Sequence, residues 1–279
     1  MTKLACNYYP EAEQLWDEQS ITLDYFKFPA VGFQMDILKD LDAFAAFCGR
    51  VSAKHPILLH GLAPIPHDLS MPALWKSFQA DTAQRLIDLT RTPGLSFHPT
   101  LSAIPDDAAF RKAFAAAVEN AGFLKEKYAH MDFVSLENLD TARWGDFLRP
   151  QVMTQLIAET GCDFLLDISH AFCAARHLEM PVMDYIKALP LEKTVEIHIN
   201  GWAINEKGIM CHLKIHEEGY ALLAQVLQHC APKIVTVEYG RHNDRIGIGC
   251  PLMSADKING DAKKEIAEQL HRIREILYS

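Results

Sequence analysis

The stretch TVEIHINGW, residues 194–202, decides how this chain folds. Its alternation sets Val195, Ile197 and Ile199 on one face of a strand and Glu196, His198 and Asn200 on the other. An exposed edge strand carries such a polar row at no cost. A strand inside a barrel does not, because buried ionisable groups need a partner, a proton or a cation.

Working outward, seven further runs rich in β-branched and aromatic residues read as strands. They are LACNY (4–8), ITLDYFKF (21–28), PILLHG (56–61), LSFHPT (95–100), FVSLEN (133–138), FLLDIS (164–169) and KIVTVEY (233–239), with VEIHIN (195–200) as the seventh in chain order. Amphipathic segments separate them, among them ILKDLDAFAAFCGRVSAK, MPALWKSFQADTAQRLIDLTR, DDAAFRKAFAAAVENAGFLKEKY and the final DAKKEIAEQLHRIREILY. Eight strand–helix units in alternation predict parallel pairing, and eight such units close into a single (β/α)8 barrel spanning residues 1–279. A doubly wound open sheet usually carries a glycine-rich turn after its first strand. Here that strand runs into CNYYP, with no GxGxxG.

The strand ends carry the chemistry. His60 closes the third strand and His98 the fourth; Glu137 and Asn138 close the fifth. Asp167 lies near the end of the sixth, His198 of the seventh and Glu238 of the eighth. Parity sends these side chains inward: Ser96 and His98 oppose Leu95 and Phe97, Ser135 and Glu137 oppose Val134 and Leu136, and Thr236 and Glu238 oppose Val235 and Val237. In a barrel all these ends meet at one mouth. Each residue alone has an ordinary reading, a hydrogen-bonded structural histidine or a carboxylate capping a helix. Six on six successive strands point instead to a metal cluster at the mouth. Past the seventh strand, a mouth loop GIMCHLKIHEE adds His212 and His216, with Cys211 as a lone, inert thiol. DISHAFCAARH places His170 near the mouth and His177 out in solvent.

Composition removes several function classes. A net charge of −9 and a pI near 5.8 argue against a phosphate-backbone partner, so no nucleic acid is expected. No run approaches 18 apolar residues and MTKLACNYYPEAEQ has no signal-peptide core, so neither a membrane span nor export is expected, and the chain reads as cytoplasmic. The seven cysteines form no CxxC pair and read as reduced. There is no GxSxG, GxxxxGK[ST] or HExxH.

LLHG (58–61), SFHPTLS (96–102), LENLD (136–140), LLDISHAF (165–172), ALPLEKTVEIHINGW (188–202) and TVEYGR (236–241) occur in the order found in one family. The chain resembles the multinuclear non-heme iron-dependent oxidative enzymes of the xylose-isomerase-like barrel group. The resemblance implies an oxidase or oxygenase using two or three iron ions and O2. It would act on a cysteine-containing, ribosomally made precursor peptide, with a partner protein that recognises the peptide leader. It also implies His60, His98, Glu137, Asp167, His198 and Glu238 as metal ligands, with His212 matching the histidine of an Asp-x-His element. Met210 stands where that element has Asp, His170 where the family has Asn, and Trp202 where it has a second His. His170 is accordingly added to the expected ligands, while Asn138, Glu196, Asn200, Tyr239 and Arg241 are expected to support ligands or substrate. Two other readings stay open: a Zn- or Mn-dependent isomerase, epimerase or hydrolase on the same fold, and a non-catalytic barrel that binds a peptide.

Overall fold

Strands β1 (Lys3–Asn7), β2 (Tyr25–Phe28), β3 (Ile57–His60), β4 (Gly94–Phe97), β5 (Phe133–Glu137), β6 (Asp163–Asp167) and β7 (Thr194–Ile199) are each short and buried. A hairpin, β8 (Gly201–Asn205) and β9 (Gly208–Leu213), follows β7, and β10 (Ile234–Val237) is the eighth barrel strand. The computed structural model describes residues 1–29, 40–62, 65, 67–205, 208–239 and 260–278. The eight barrel strands pair in parallel and close in the order β1-β10-β7-β6-β5-β4-β3-β2, so the expected (β/α)8 barrel is the fold.

Helices α1 (Pro10–Asp17), α2 (Leu41–Ser52), α3 (Ala80–Thr90), α4 (Asp107–Lys127), α5 (Pro150–Thr160), α6 (Ile168–His177), α7 (Val182–Lys187), α8 (Glu217–Val226) and α9 (Gly260–Tyr278) accompany the strands. Leu59, Leu95, Phe97, Leu136, Leu166, Ile197, Ile199, Val235 and Val237 share one buried apolar cluster with helix residues such as Leu86, Ala117, Leu156, Leu223 and Ile266. That burial drives the closure. No described helix is long and apolar enough to cross a membrane.

Three sequence expectations are corrected. First, Val195 does not pack with Ile197 and Ile199. It joins Ala5, Leu58, Phe133 and Ile234 in a separate cluster. A register shift between β6 and β7 pairs Phe164 with Thr194 but Leu165 with Glu196, so Val195 is the extra residue of a β-bulge and loses the alternation. Second, the segment after β7 is an antiparallel hairpin rather than a loop. Its start needs Gly201, because a Cβ there would lie 1.9 Å from the Lys214 carbonyl oxygen. Third, the helix expected over MPALWKSFQADTAQRLIDLTR is broken. A 3-10 turn covers Leu74–Lys76 and α3 begins only at Ala80, with Ala73 in the left-handed region at φ 56°.

Candidate metal centre

The interior of the barrel is layered. Beneath the mouth lies Lys27, wholly buried, whose Nζ donates to both Glu196 carboxylate oxygens at 2.7 Å and to Ser96 Oγ at 3.0 Å. Thr236 Oγ1 donates to Glu196 Oε1 at 2.6 Å. Burial pushes the Glu196 pKa up, but Lys27 and His198 outweigh it and bring it down to about 2. This layer neutralises itself.

Glu196 also reaches upward. Its Oε1 lies 3.2 Å from His198 Nε2, which turns His198 Nδ1 toward three carboxylates. Nδ1 is 3.1 Å from Glu137 Oε1, 3.1 Å from Glu238 Oε2 and 4.0 Å from Asp167 Oδ2. Donor atoms of Glu137, Asp167, His198 and Glu238 all lie within 4.8 Å of one another, and all four residues are buried. A second set, His60, His98 and Glu137, meets the same criterion. Glu137 belongs to both sets. Its Oε2 is 3.2 Å from His60 Nε2 and 3.0 Å from His98 Nε2, yet this buried oxygen makes no hydrogen bond.

Local structure explains how these side chains are held. Asp167 ends β6 and caps α6: its Oδ1 accepts from the His170 amide at 2.7 Å and from Ser169 Oγ at 2.7 Å. Oδ2 is left to face the cluster, where Asn200 Nδ2 donates to it at 3.2 Å. Asn138 fastens β5 to β6, donating from Nδ2 to the Asp167 carbonyl at 3.0 Å and accepting the Asp167 amide at 2.8 Å. His212 sits at φ 63°, unusual for a non-glycine residue, with its amide donating to Asn200 Oδ1 at 2.7 Å. There its Nε2 lies 3.5 Å from Glu238 Oε2. His98 and His212 keep 27% and 25% of their side chains exposed, so the centre opens to solvent on their side.

Electrostatics follow from crowding. Burial raises the pKa of Glu137, but the His98, His198 and His60 rings hold it well below the carboxylate range. Glu238 behaves alike, with burial opposed by His198 and His212. Burial moves His198 down, and Glu238, Glu137 and Glu196 lift it well above 6.5. His60, lacking so many acidic neighbours, is driven well below that value by burial. Asp167 is raised by burial.

The expected residues do not all converge. His170 joins a third set with Asp140 and Cys211, while its Nδ1 remains 3.5 Å from Glu137 Oε1. Tyr239 is turned outward, its hydroxyl donating to Glu265 on α9. His216 caps α8, accepting the Gly219 amide at 3.2 Å, and packs edge-on against Trp202. Trp202 stacks on Phe172 at 4.6 Å between ring centroids. Arg241 lies outside the described residues, as does the side chain of Met210. Sequence reasoning missed Lys27, which reads as an ordinary charge in YFKF, and Asp140, which lies beyond a strand end. It also missed Cys173, whose Sγ lies 3.3 Å from that of Cys211.

Residues 130–246, which carry Glu137, Asp167, His198, His212 and Glu238, match the family model of the RiPP precursor modification enzyme MbnB/TglH/ChrH. The resemblance read from the sequence is thus borne out over this block. A UPF0276 protein of Caulobacter sp. (strain K31) is 26% identical over 123 residues, covering 42% of this chain and 44% of that protein. A UPF0276 protein of Bordetella pertussis is 26% identical over 136 residues, 47% of this chain and 44% of its own length. The chain therefore spans less than half the length of these curated relatives. Among solved structures, D-psicose 3-epimerase from Clostridium cellulolyticum H10 superposes with a TM-score of 0.65 at 12% identity over 100% of both chains. A xylose isomerase domain protein from Alicyclobacillus acidocaldarius gives 0.59 at 14% identity over 99% of this chain and 98% of that one. At such identities the likeness is one of fold alone, the (β/α)8 barrel.

Proposed function

We propose that the barrel mouth holds at least two metal ions bridged by Glu137, that they are iron, and that the protein oxidatively modifies a cysteine-containing precursor peptide with O2. The observation that carries the metal reading is Glu137 Oε2. It is buried, charged, within 3.2 Å of two imidazole nitrogens and free of any hydrogen bond. Hydrogen-bonded packing does not leave a carboxylate oxygen in that state. A cation shared with His60 and His98 would satisfy it.

The donor set fits such a group. Imidazoles and carboxylates suit iron, zinc and manganese alike, so the choice of iron rests on the family match. Two ions would be held by His60, His98 and Glu137 on one side and by Glu137, Asp167, His198 and Glu238 on the other. When bound, iron supplies one-electron chemistry with O2 and a coordination position for a soft substrate sulfur.

This chain's own residues do the rest. Glu196 fixes the His198 ring through Nε2, the kind of outer contact that sets a ligand's orientation. Asn200 ties Asp167 to the hairpin, and Asn138 ties β5 to β6, so the donors are held before any substrate arrives. The exposed edges of His98 and His212 mark the side from which a peptide would enter.

The test is metal analysis of protein purified without oxygen, followed by exposure to O2 with a cysteine-containing precursor peptide encoded beside this chain. Two or more irons per chain and an O2-dependent change in peptide mass support the reading. Stoichiometric zinc or manganese without iron would favour the isomerase or hydrolase reading, and no metal would favour the peptide-binding one.

A further inference from the structure

We propose that Cys173 and Cys211 are a redox-active thiol pair, which an oxidant of the peroxide class converts reversibly into a disulfide stapling hairpin strand β9 to helix α6. Their Sγ atoms lie 3.3 Å apart, although 38 positions separate them in the chain. Cys162 and Cys230, by contrast, turn their thiols to the main-chain carbonyls of Ala121 and Val226, at 3.7 and 3.6 Å. At Cys173 and Cys211, two thiols from different elements meet each other.

The two sulfurs differ in access, and access sets their order of reaction. Cys173 is buried, whereas Cys211 keeps some exposure, so an oxidant arriving from solvent meets Cys211 first. One peroxide oxygen passes to the Cys211 sulfur as a sulfenic acid, and the other leaves as water. The Cys173 thiol then attacks that sulfur and displaces its hydroxyl as a second water, closing the disulfide. Two electrons pass from the thiol pair to the peroxide, and no cofactor takes part. Because one sulfur stays near the surface, a small thiol can attack the bond and restore both thiols.

The staple falls where the hairpin already braces the barrel mouth. Asp167 caps α6, and its Oδ2 accepts from Asn200 Nδ2 at 3.2 Å; Asn200 Oδ1 in turn accepts the His212 amide at 2.7 Å. Cys211 immediately precedes His212, so a disulfide to α6 runs beside this hydrogen-bonded link and makes the same junction covalent. Reduced, the junction opens by breaking noncovalent contacts; oxidised, it stays shut. His212 borders the exposed side of the centre, so oxidation would stiffen the entrance to the barrel. The inference needs neither bound metal nor peptide, and it fails separately from the proposed function.

The test is treatment of the full chain, as purified, with hydrogen peroxide or with the thiol oxidant diamide, followed by alkylation and non-reducing peptide mapping. Peptides carrying Cys173 and Cys211 should appear linked, two hydrogens lighter than their sum, and dithiothreitol should return both as alkylated thiols. This readout needs no variant. In Cys173→Ser the link should vanish, and under peroxide dimedone should trap a sulfenic acid at Cys211. Hydrogen exchange of the β8 and β9 amides should slow by about tenfold in the linked protein relative to the reduced one, a change absent from Cys173→Ser. Both thiols still alkylated after either oxidant, Cys211 linked instead to another cysteine, or hairpin exchange unchanged by the link would overturn the proposal.

Discussion

Two buried polar layers share one barrel and differ in how their charges are met. In the deep layer Glu196 receives both its bonds from Lys27 and a third from Thr236, and every charged atom has a protein partner. In the mouth layer Glu137 faces a crowd of imidazole nitrogens and still leaves Oε2 without a hydrogen bond. The carboxylates of both layers are buried, while His98 and His212 leave the mouth layer partly open to solvent. The first is a closed ion pair that supports the second; the second is a set of donors complete only with cations.

The largest effect should come from breaking the deep layer. Lys27→Met strands a wholly buried Glu196 carboxylate and is expected to lower stability by ~3–5 kcal/mol in chemical denaturation, whether metal is present or chelated. Metal should act only on the mouth. Ferrous iron at one hundred times its dissociation constant should add ~2.7 kcal/mol to the wild type, an increment that Glu137→Gln removes and anaerobic denaturation reads out. Asn200→Ala takes away the bond to Asp167 Oδ2 and the anchor of His212, and should weaken metal binding by roughly 10- to 100-fold in a competition titration.

The smallest effect distinguishes the layers by pH. His198 has a folded pKa raised above 6.5, so the stability it contributes in metal-free protein is complete below 6.5 and is lost as pH rises through the folded value. Glu196 is depressed to about 2, so its contribution is complete above its ordinary value of 4.5 and is lost only as pH falls toward 2. Thermal melts of metal-free protein should therefore decline on the alkaline side. Metal, which replaces the His198 proton, should remove that decline. An alkaline decline of the same size with and without metal would deny the proton–metal competition.

Much of this was legible in the sequence because barrels impose strict rules. Strand parity placed Glu137, His198 and Glu238 inward, and eight strand–helix alternations set the topology. What stayed hidden depended on geometry that pattern cannot carry. The bulge that turns Val195 from Ile197 and Ile199 is a register fact between β6 and β7. Lys27 becomes the counter-charge of Glu196 across 169 positions of chain, a distance over which no local motif reports. The hairpin of β8 and β9 brings Cys211 to Cys173 and His170, so a cysteine that reads alone in sequence has a thiol neighbour in space. Asp167 reads as a cap or as a ligand, and its two oxygens allow it to serve as both.

The most direct test of the central claim is metal content per chain after purification without oxygen, for the wild type, His98→Ala and Glu238→Ala. The account predicts two or more irons in the wild type and fewer in each variant, since each deletes a donor from one of the two sets that share Glu137. Metal content unchanged in both variants would contradict it.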